Sequence, residues 1–107
     1  MELINKHIQS LIILSQKYFV KELFVIGSLA RGQQNELSDI DFLVRFEGVP
    51  PIDYFDNYMD YKNSLEILFS KNVDLIEIQT IKNPILKKSI ERDKIKIYER
   101  EDPKMAV

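Results

Sequence analysis

Gly27-Ser28-Leu29-Ala30-Arg31-Gly32, followed after a short polar spacer by Ser38-Asp39-Ile40-Asp41, decides the reading of this chain. The apolar run Leu23-Phe24-Val25-Ile26 leads straight into the Gly-Ser pair, and Phe42-Leu43-Val44 leaves the second aspartate. This order predicts strand, tight turn, short helix, loop, strand. Gly27 lets the backbone turn sharply and leaves room for a close approach. Ser28 is expected at the N-cap of a short helix running to about Gly32 or Gln33, where free backbone N–H groups and the helix dipole favour an anion. Asp39 and Asp41 are two apart on a predicted strand, so both side chains should leave the same face, with Cα atoms about 6.5 Å apart. Two carboxylates on one face beside a phosphate-binding turn suit a pair of divalent cations about 3.5–4 Å apart.

The flanking sequence supplies the rest of a mixed α/β domain. Ile4, Ile8, Leu11, Ile12 and Ser15 keep helical spacing, which predicts one helix from Glu2 to about Tyr18. The first strand is expected over about Glu22 to Ile26 and the second over about Asp41 to Phe46, with Gln33 to Glu36 as a loop over the site. Gly48-Val49-Pro50-Pro51 marks a turn. A long helix should follow, from Ile52 or Asp53 to Ser70, with an apolar stripe of Phe55, Met59, Leu65, Leu68 and Phe69. Tyr54, Tyr58 and Tyr61 share one side of it. They either pack at the edge of the core or offer an aromatic edge to a base or a partner. Val73 to Ile78 reads as a third strand, and Pro84 opens a helix whose buried face is expected from Ile85, Leu86 and Ile90. Ile95 to Tyr98 alternates as a last strand, and Glu99 to Val107 reads as a frayed tail.

At 107 residues there is room for one domain with one modest core, taken as residues 1–107. The formal charge of −2 argues against a protein that holds nucleic acid mainly by electrostatics. Cysteine is absent, and His7 is the only histidine, so thiolate and histidine-based metal centres are excluded. The most apolar run near the N-terminus, Leu11 to Leu14, is too short to span a membrane and lacks the flanks of a signal peptide. A cytoplasmic protein is expected.

Each acidic candidate has a plain structural reading beside the functional one. Asp39 follows Ser38 and would serve as a turn residue. Asp41 lies among Ile40, Phe42, Leu43 and Val44, where a charge is costly to bury unpaired. Asp74, between Val73 and Leu75, would suit the water-facing side of an edge strand.

Gly27-Ser28, ten intervening residues, then Asp39-Ile40-Asp41 resembles the signature of the DNA polymerase beta nucleotidyltransferase superfamily. The fuller form, through Phe42-Leu43-Val44, is most similar to the minimal nucleotidyltransferases, the group that includes MntA-like antitoxins paired with HEPN toxins. The likeness continues through Val73-Asp74-Leu75-Ile76 and Ile95-Lys96-Ile97-Tyr98, so it covers nearly the whole chain. It implies an α/β (α+β) fold: a single nucleotidyltransferase domain with a mixed sheet of about four strands flanked by helices. It also implies Asp39, Asp41 and, from the neighbouring strand, Asp74 as catalytic carboxylates and ligands of two Mg2+ ions, with Mn2+ as an alternative. Asp74 would complete one metal site and take the proton from an attacking hydroxyl. Gly27 and Ser28 would hold the β- and γ-phosphates of ATP, the substrate. Arg31 would stand beside the site, facing phosphate or acceptor, or else pair with Glu36 or Asp39 at the surface.

The reaction implied is in-line attack of a hydroxyl on the α-phosphorus with pyrophosphate leaving. Larger relatives carry an added acceptor-binding domain, and none is read here. A partner protein is therefore expected to bring the hydroxyl. The resemblance names that partner as a HEPN-domain ribonuclease toxin and the activity as AMP transfer to a toxin tyrosine, with no membrane and no direct nucleic-acid binding. Two other classes stay open: a non-catalytic antitoxin that blocks the toxin by complex formation, and a small-molecule (antibiotic) nucleotidyltransferase completed by a helical partner subunit.

Overall fold

The four apolar runs become the four strands of one sheet. In chain order the elements are α1 (Glu2–Lys6), α2 (Ile8–Lys17), β1 (Val20–Ile26), α3 (Gly27–Ala30), β2 (Ile40–Phe46), α4 (Tyr54–Phe69), β3 (Val73–Glu77), α5 (Pro84–Asp93) and β4 (Ile95–Glu99). The structure is a computed structural model that describes residues 1–33 and 35–101. The strand order is β3-β2-β1-β4. β2 and β3 run parallel, and the other two pairs are antiparallel. A parallel pair needs a crossover, and α4 provides it.

β1 and β2 occupy the middle of the sheet and are buried on both faces, so they read as continuous apolar runs. Successive side chains alternate between two cores. Leu23, Val25, Phe42 and Val44 join a large core with Leu11 of α2 and Tyr61, Leu65 and Phe69 of α4. The three α4 residues are four apart, one stripe of the helix. Phe24, Ile26 and Leu43 point the other way and meet Ile90 of α5 in a much smaller cluster. Asp41 and Leu43 share parity, so the Asp41 carboxylate projects on this second, thinly covered face.

Several boundaries differ from the sequence reading. The N-terminal helix is two helices, because His7 leaves helical conformation at φ −114°, ψ 16° and its ring meets Phe69 edge-on at 5.4 Å. β1 starts earlier, at Val20, while β3 stops at Glu77 and passes into a 3-10 turn over Ile78–Thr80. α4 begins at Tyr54 after a 3-10 turn over Pro51–Asp53. The last strand takes in Glu99, opposite Glu22, and Arg100 N donates to Lys21 O at 2.8 Å, so the expected tail begins as sheet. Its residues 102–107, and residue 34 of the expected loop, lie outside the described residues.

The tyrosines of α4 face inward. Phe46 meets the rings of Tyr54, Tyr58 and Tyr61 at 5.8, 6.4 and 5.8 Å. Tyr61 is fully buried and shares a 2.8 Å hydrogen bond with Ser15 Oγ. Tyr58 Oη donates to Leu75 O at 2.6 Å, and Tyr54 Oη to Glu77 Oε2 at 2.9 Å. This is the packing role of the two read from the sequence. Two expected apolar faces are corrected. Phe55 is exposed on α4, and Ile85 and Leu86 remain exposed on α5, because only Ile90 reaches the small second-face cluster. Asn83 caps α5, its Oδ1 accepting from Ile85 N at 2.9 Å and Leu86 N at 3.3 Å. Among the described residues no helix is long and apolar enough to cross a membrane.

Candidate active site

The end of β1 runs into α3 without a linker. Ile26, still extended, is therefore the N-cap, and Ser28 sits inside the first turn rather than at the cap expected for it. The helix is also shorter than expected, ending at Ala30. Gln33 N donates to Ser28 O at 2.8 Å and Gly32 N to Leu29 O at 3.2 Å. With Gly32 at φ +71°, this is a Schellman termination. The first-turn amides of α3 have no intrahelical partner.

Gly27 has φ +68°, a region that side chains with a Cβ rarely adopt. A Cβ built there would overlap Asp41 Oδ2 and lie 3.2 Å from Asp41 Cγ. The close approach that the glycine permits is thus the approach of the Asp41 carboxylate to the turn. Register explains why they meet: Ile26 is opposite Asp41 in the β1–β2 pair, and Asp41 is opposite Asp74 in the β2–β3 pair. Neighbouring strands lie about 4.8 Å apart, so Asp41 and Asp74 are lateral neighbours on one face.

Their charges are felt. Burial, then the negative charges of Asp74 and Asp39, push the Asp41 pKa above the usual carboxylate value, and Arg31 opposes them. Gly27, Arg31, Asp41 and Asp74 all line one cleft of about 240 Å3. Ser28 is absent from its wall. Asp39 stands one residue before β2, exposed, and lines a neighbouring depression with Lys71 and Asn72.

A further wall, not expected from the sequence, comes from α5. Leu86, Ser89, Ile90 and Asp93 of α5 close the cleft. Arg31 Nη1 lies 3.8 Å from Asp93 Oδ2, so its ionic neighbour is Asp93 rather than Glu36 or Asp39. A hydrogen bond from Arg92, with help from Arg31, holds the Asp93 carboxyl below its ordinary pKa. The spacing of Leu86, Ser89, Ile90 and Asp93 is that of one helical face, which was the available signal.

Among the described residues no group of three His, Cys, Asp or Glu side chains is close enough to hold an ion on its own. The donor set nevertheless suits divalent cations. Carboxylate oxygens are the ligands that Mg2+ and Mn2+ prefer. Asp41 and Asp74 are adjacent, and burial together with the negative charges of Asp74 and Asp39 raises the Asp41 pKa against the pull of Arg31. A metal ion there would relieve the repulsion among those negative charges.

The chain resembles known proteins over most of its length. The sequence profile of the family described as polymerase beta, nucleotidyltransferase matches residues 8–103. A Methanocaldococcus jannaschii protein, provisionally named a protein adenylyltransferase, is 43% identical over 96 residues, covering 88% of this chain and 90% of the relative. A solved structure described provisionally as a minimal nucleotidyltransferase superposes with a TM-score of 0.72 at 28% identity, over 89% of this chain and 95% of its own. Another, of a tri-AMPylated Shewanella oneidensis HEPN toxin in complex with an MNT antitoxin, shares the fold at 14% identity. Its TM-score is 0.61, over 90% of this chain and 72% of that one.

Proposed function

Because this chain belongs to the polymerase beta nucleotidyltransferase family, we propose that it transfers AMP from ATP to a tyrosine hydroxyl of a HEPN-domain toxin and so acts as an antitoxin. The observation that supports this best is the meeting of the Gly27 turn with the Asp41 and Asp74 carboxylates at one cleft. The relative's name supplies adenylyl transfer, and the toxin complex supplies the kind of partner.

In this reading the triphosphate lies along the turn at Gly27 and Ser28, whose first-turn amides donate to phosphate oxygens. Asp39, Asp41 and Asp74 would hold two Mg2+ ions. Bound there, Mg2+ would neutralise charge on the triphosphate and on the leaving pyrophosphate. The tyrosine oxygen bonds to the α-phosphorus as the bond from that phosphorus to the β-phosphate bridging oxygen breaks. A tyrosine hydroxyl has an ordinary pKa near 10, so its proton must be taken up during attack. Asp74, exposed at the cleft, is the acceptor of that proton. Arg31, held near Asp93, adds a positive charge to the cleft.

The test is intact-mass measurement of a HEPN-domain partner incubated with this protein, ATP and Mg2+. Each transfer adds about 329 Da by covalent stoichiometry. Asp39→Ala with Asp41→Ala should abolish the gain, and Asp74→Ala should cut it severely. A partner whose mass never changes, yet which is still neutralised in cells by the double variant, would replace the enzyme with a blocking module.

A further inference from the structure

Asp39 has no strand partner of its own, since β2 begins at Ile40. What fixes it is the short segment between α4 and β3. Ser70 closes α4 in the left-handed region at φ +52°, which turns the chain back toward the sheet. Lys71 then reaches across. Its Nζ donates to Glu36 O at 2.7 Å and lies 3.4 Å from Ser38 O. One residue on, Asn72 O accepts from Ile40 N at 3.1 Å. Residues 71 and 72 thus grip the chain on both sides of Asp39.

The gripped loop is closed at its other end by Asn35. Its Oδ1 accepts from Leu37 N at 2.8 Å, and its carbonyl from Ser38 N at 3.1 Å. The gripping segment is itself anchored, for Glu66 Oε2 accepts from Val73 N at 3.0 Å. Lys71 stands three residues before Asp74, so one short stretch both enters the strand of Asp74 and holds the loop of Asp39.

We propose that Lys71 is a positioning residue that fixes Asp39 against Asp41 and Asp74 for divalent-cation binding. The proposal rests on the reading of these carboxylates as cation ligands. Lys71 spends its donors on backbone carbonyls that have no other role in the sheet. A charge-assisted hydrogen bond to a carbonyl is stronger than a neutral one. Groups that hold a ligand in place tune metal affinity nearly as much as the ligands themselves.

The test separates this role from simple charge. A lysine near a carboxylate ligand repels a divalent cation, so if Lys71 acted only through its charge, Lys71→Met would bind Mn2+ more tightly. The clamp requires the opposite sign. Mn2+ binding to the free protein, followed by electron paramagnetic resonance of unbound Mn2+, should weaken about tenfold in Lys71→Met. Lys71→Arg, which keeps the charge and several donors, should recover part of the loss. Asn35→Ala opens the same loop without touching the approach to β3, and should weaken Mn2+ as well. Amide hydrogen exchange should rise over residues 36–39 in Lys71→Met while the rest of the sheet stays protected. Unchanged or tighter Mn2+ binding in both Lys71→Met and Asn35→Ala overturns the clamp alone. Failure of the wild-type protein to bind Mn2+ overturns the carboxylate reading and the clamp with it.

Discussion

Gly27→Ala tests the central contact of the site. Two costs are expected. The first is backbone strain at φ +68°, about 1–2 kcal/mol for a residue with a Cβ. The second is steric. The new Cβ takes the space of Asp41 Oδ2 and also lies 3.2 Å from Asp41 Cγ and 3.3 Å from Asp41 Cβ, so turning the carboxylate alone does not clear it. Overpacking of this kind costs about 1–3 kcal/mol. The sum, about 2–5 kcal/mol, should lower the melting temperature of a domain this size by roughly 10 °C or more. The two costs separate in a double-mutant cycle measured by urea unfolding. In an Asp41→Ala background the overlapping oxygen is gone and only the Asp41 Cβ remains, at 3.3 Å, so Gly27→Ala should cost only the backbone share. The expected coupling is therefore about 1–3 kcal/mol. Equal costs in both backgrounds would mean that the Asp41 carboxylate does not occupy the space beside the turn, and the site as described would fall.

Two further outcomes follow from groups on either side of the sheet. The Asp41 pKa is raised in the folded chain, so between its unfolded and folded values the folded state binds more protons, and stability falls as pH rises through that window. Without divalent cations, Asp41→Asn should flatten the melting-temperature profile above pH 4 and leave the variant more stable than wild type at pH 7; a variant less stable there would contradict the repulsion. On the other face, Tyr61→Phe removes the partner of buried Ser15 and should cost about 1–3 kcal/mol in thermal or urea unfolding. AMP transfer should persist in that variant at a temperature where it stays folded, and its loss would restore a functional role to the tyrosine face.

The turn is legible because its meaning is local: a glycine after an apolar run fixes its geometry within a few residues. Asp39, expected on one strand with Asp41, instead stands one residue before β2 and lines the neighbouring depression, because the strand begins only where Ile40 pairs. Asp74 could be named through family likeness, but its place beside Asp41 depends on the β2–β3 register, which no local pattern encodes. The place of Asp93 is hidden from the sequence for a related reason. The residue ends a charged helix far along the chain, where an acid reads as solvated, and only packing of α5 over the second face brings it to Arg31. The sequence marks the turn at Ser28 but does not show that β1 enters α3 without a break, which is what moves the cap to Ile26. The apolar side chains of Phe55, Ile85 and Leu86 looked buried because helical spacing reports a face, not whether anything covers it.

The strand order has a consequence for how the chain is made. β1, in the middle of the sheet, has β2 on one side and β4 on the other, and β4 follows every other described element. As the polypeptide leaves the ribosome, β1, β2 and β3 can assemble with α4 while one flank of β1 still waits for its neighbour. That flank carries Leu23 to Ile26, among the most apolar residues of the chain, with unpaired backbone groups beside them. Closing it requires a contact of long sequence separation, which is slow. Until β4 pairs, the flank of β1 from Glu22 to Val25 is an open sheet edge, the kind of edge through which partly folded chains associate.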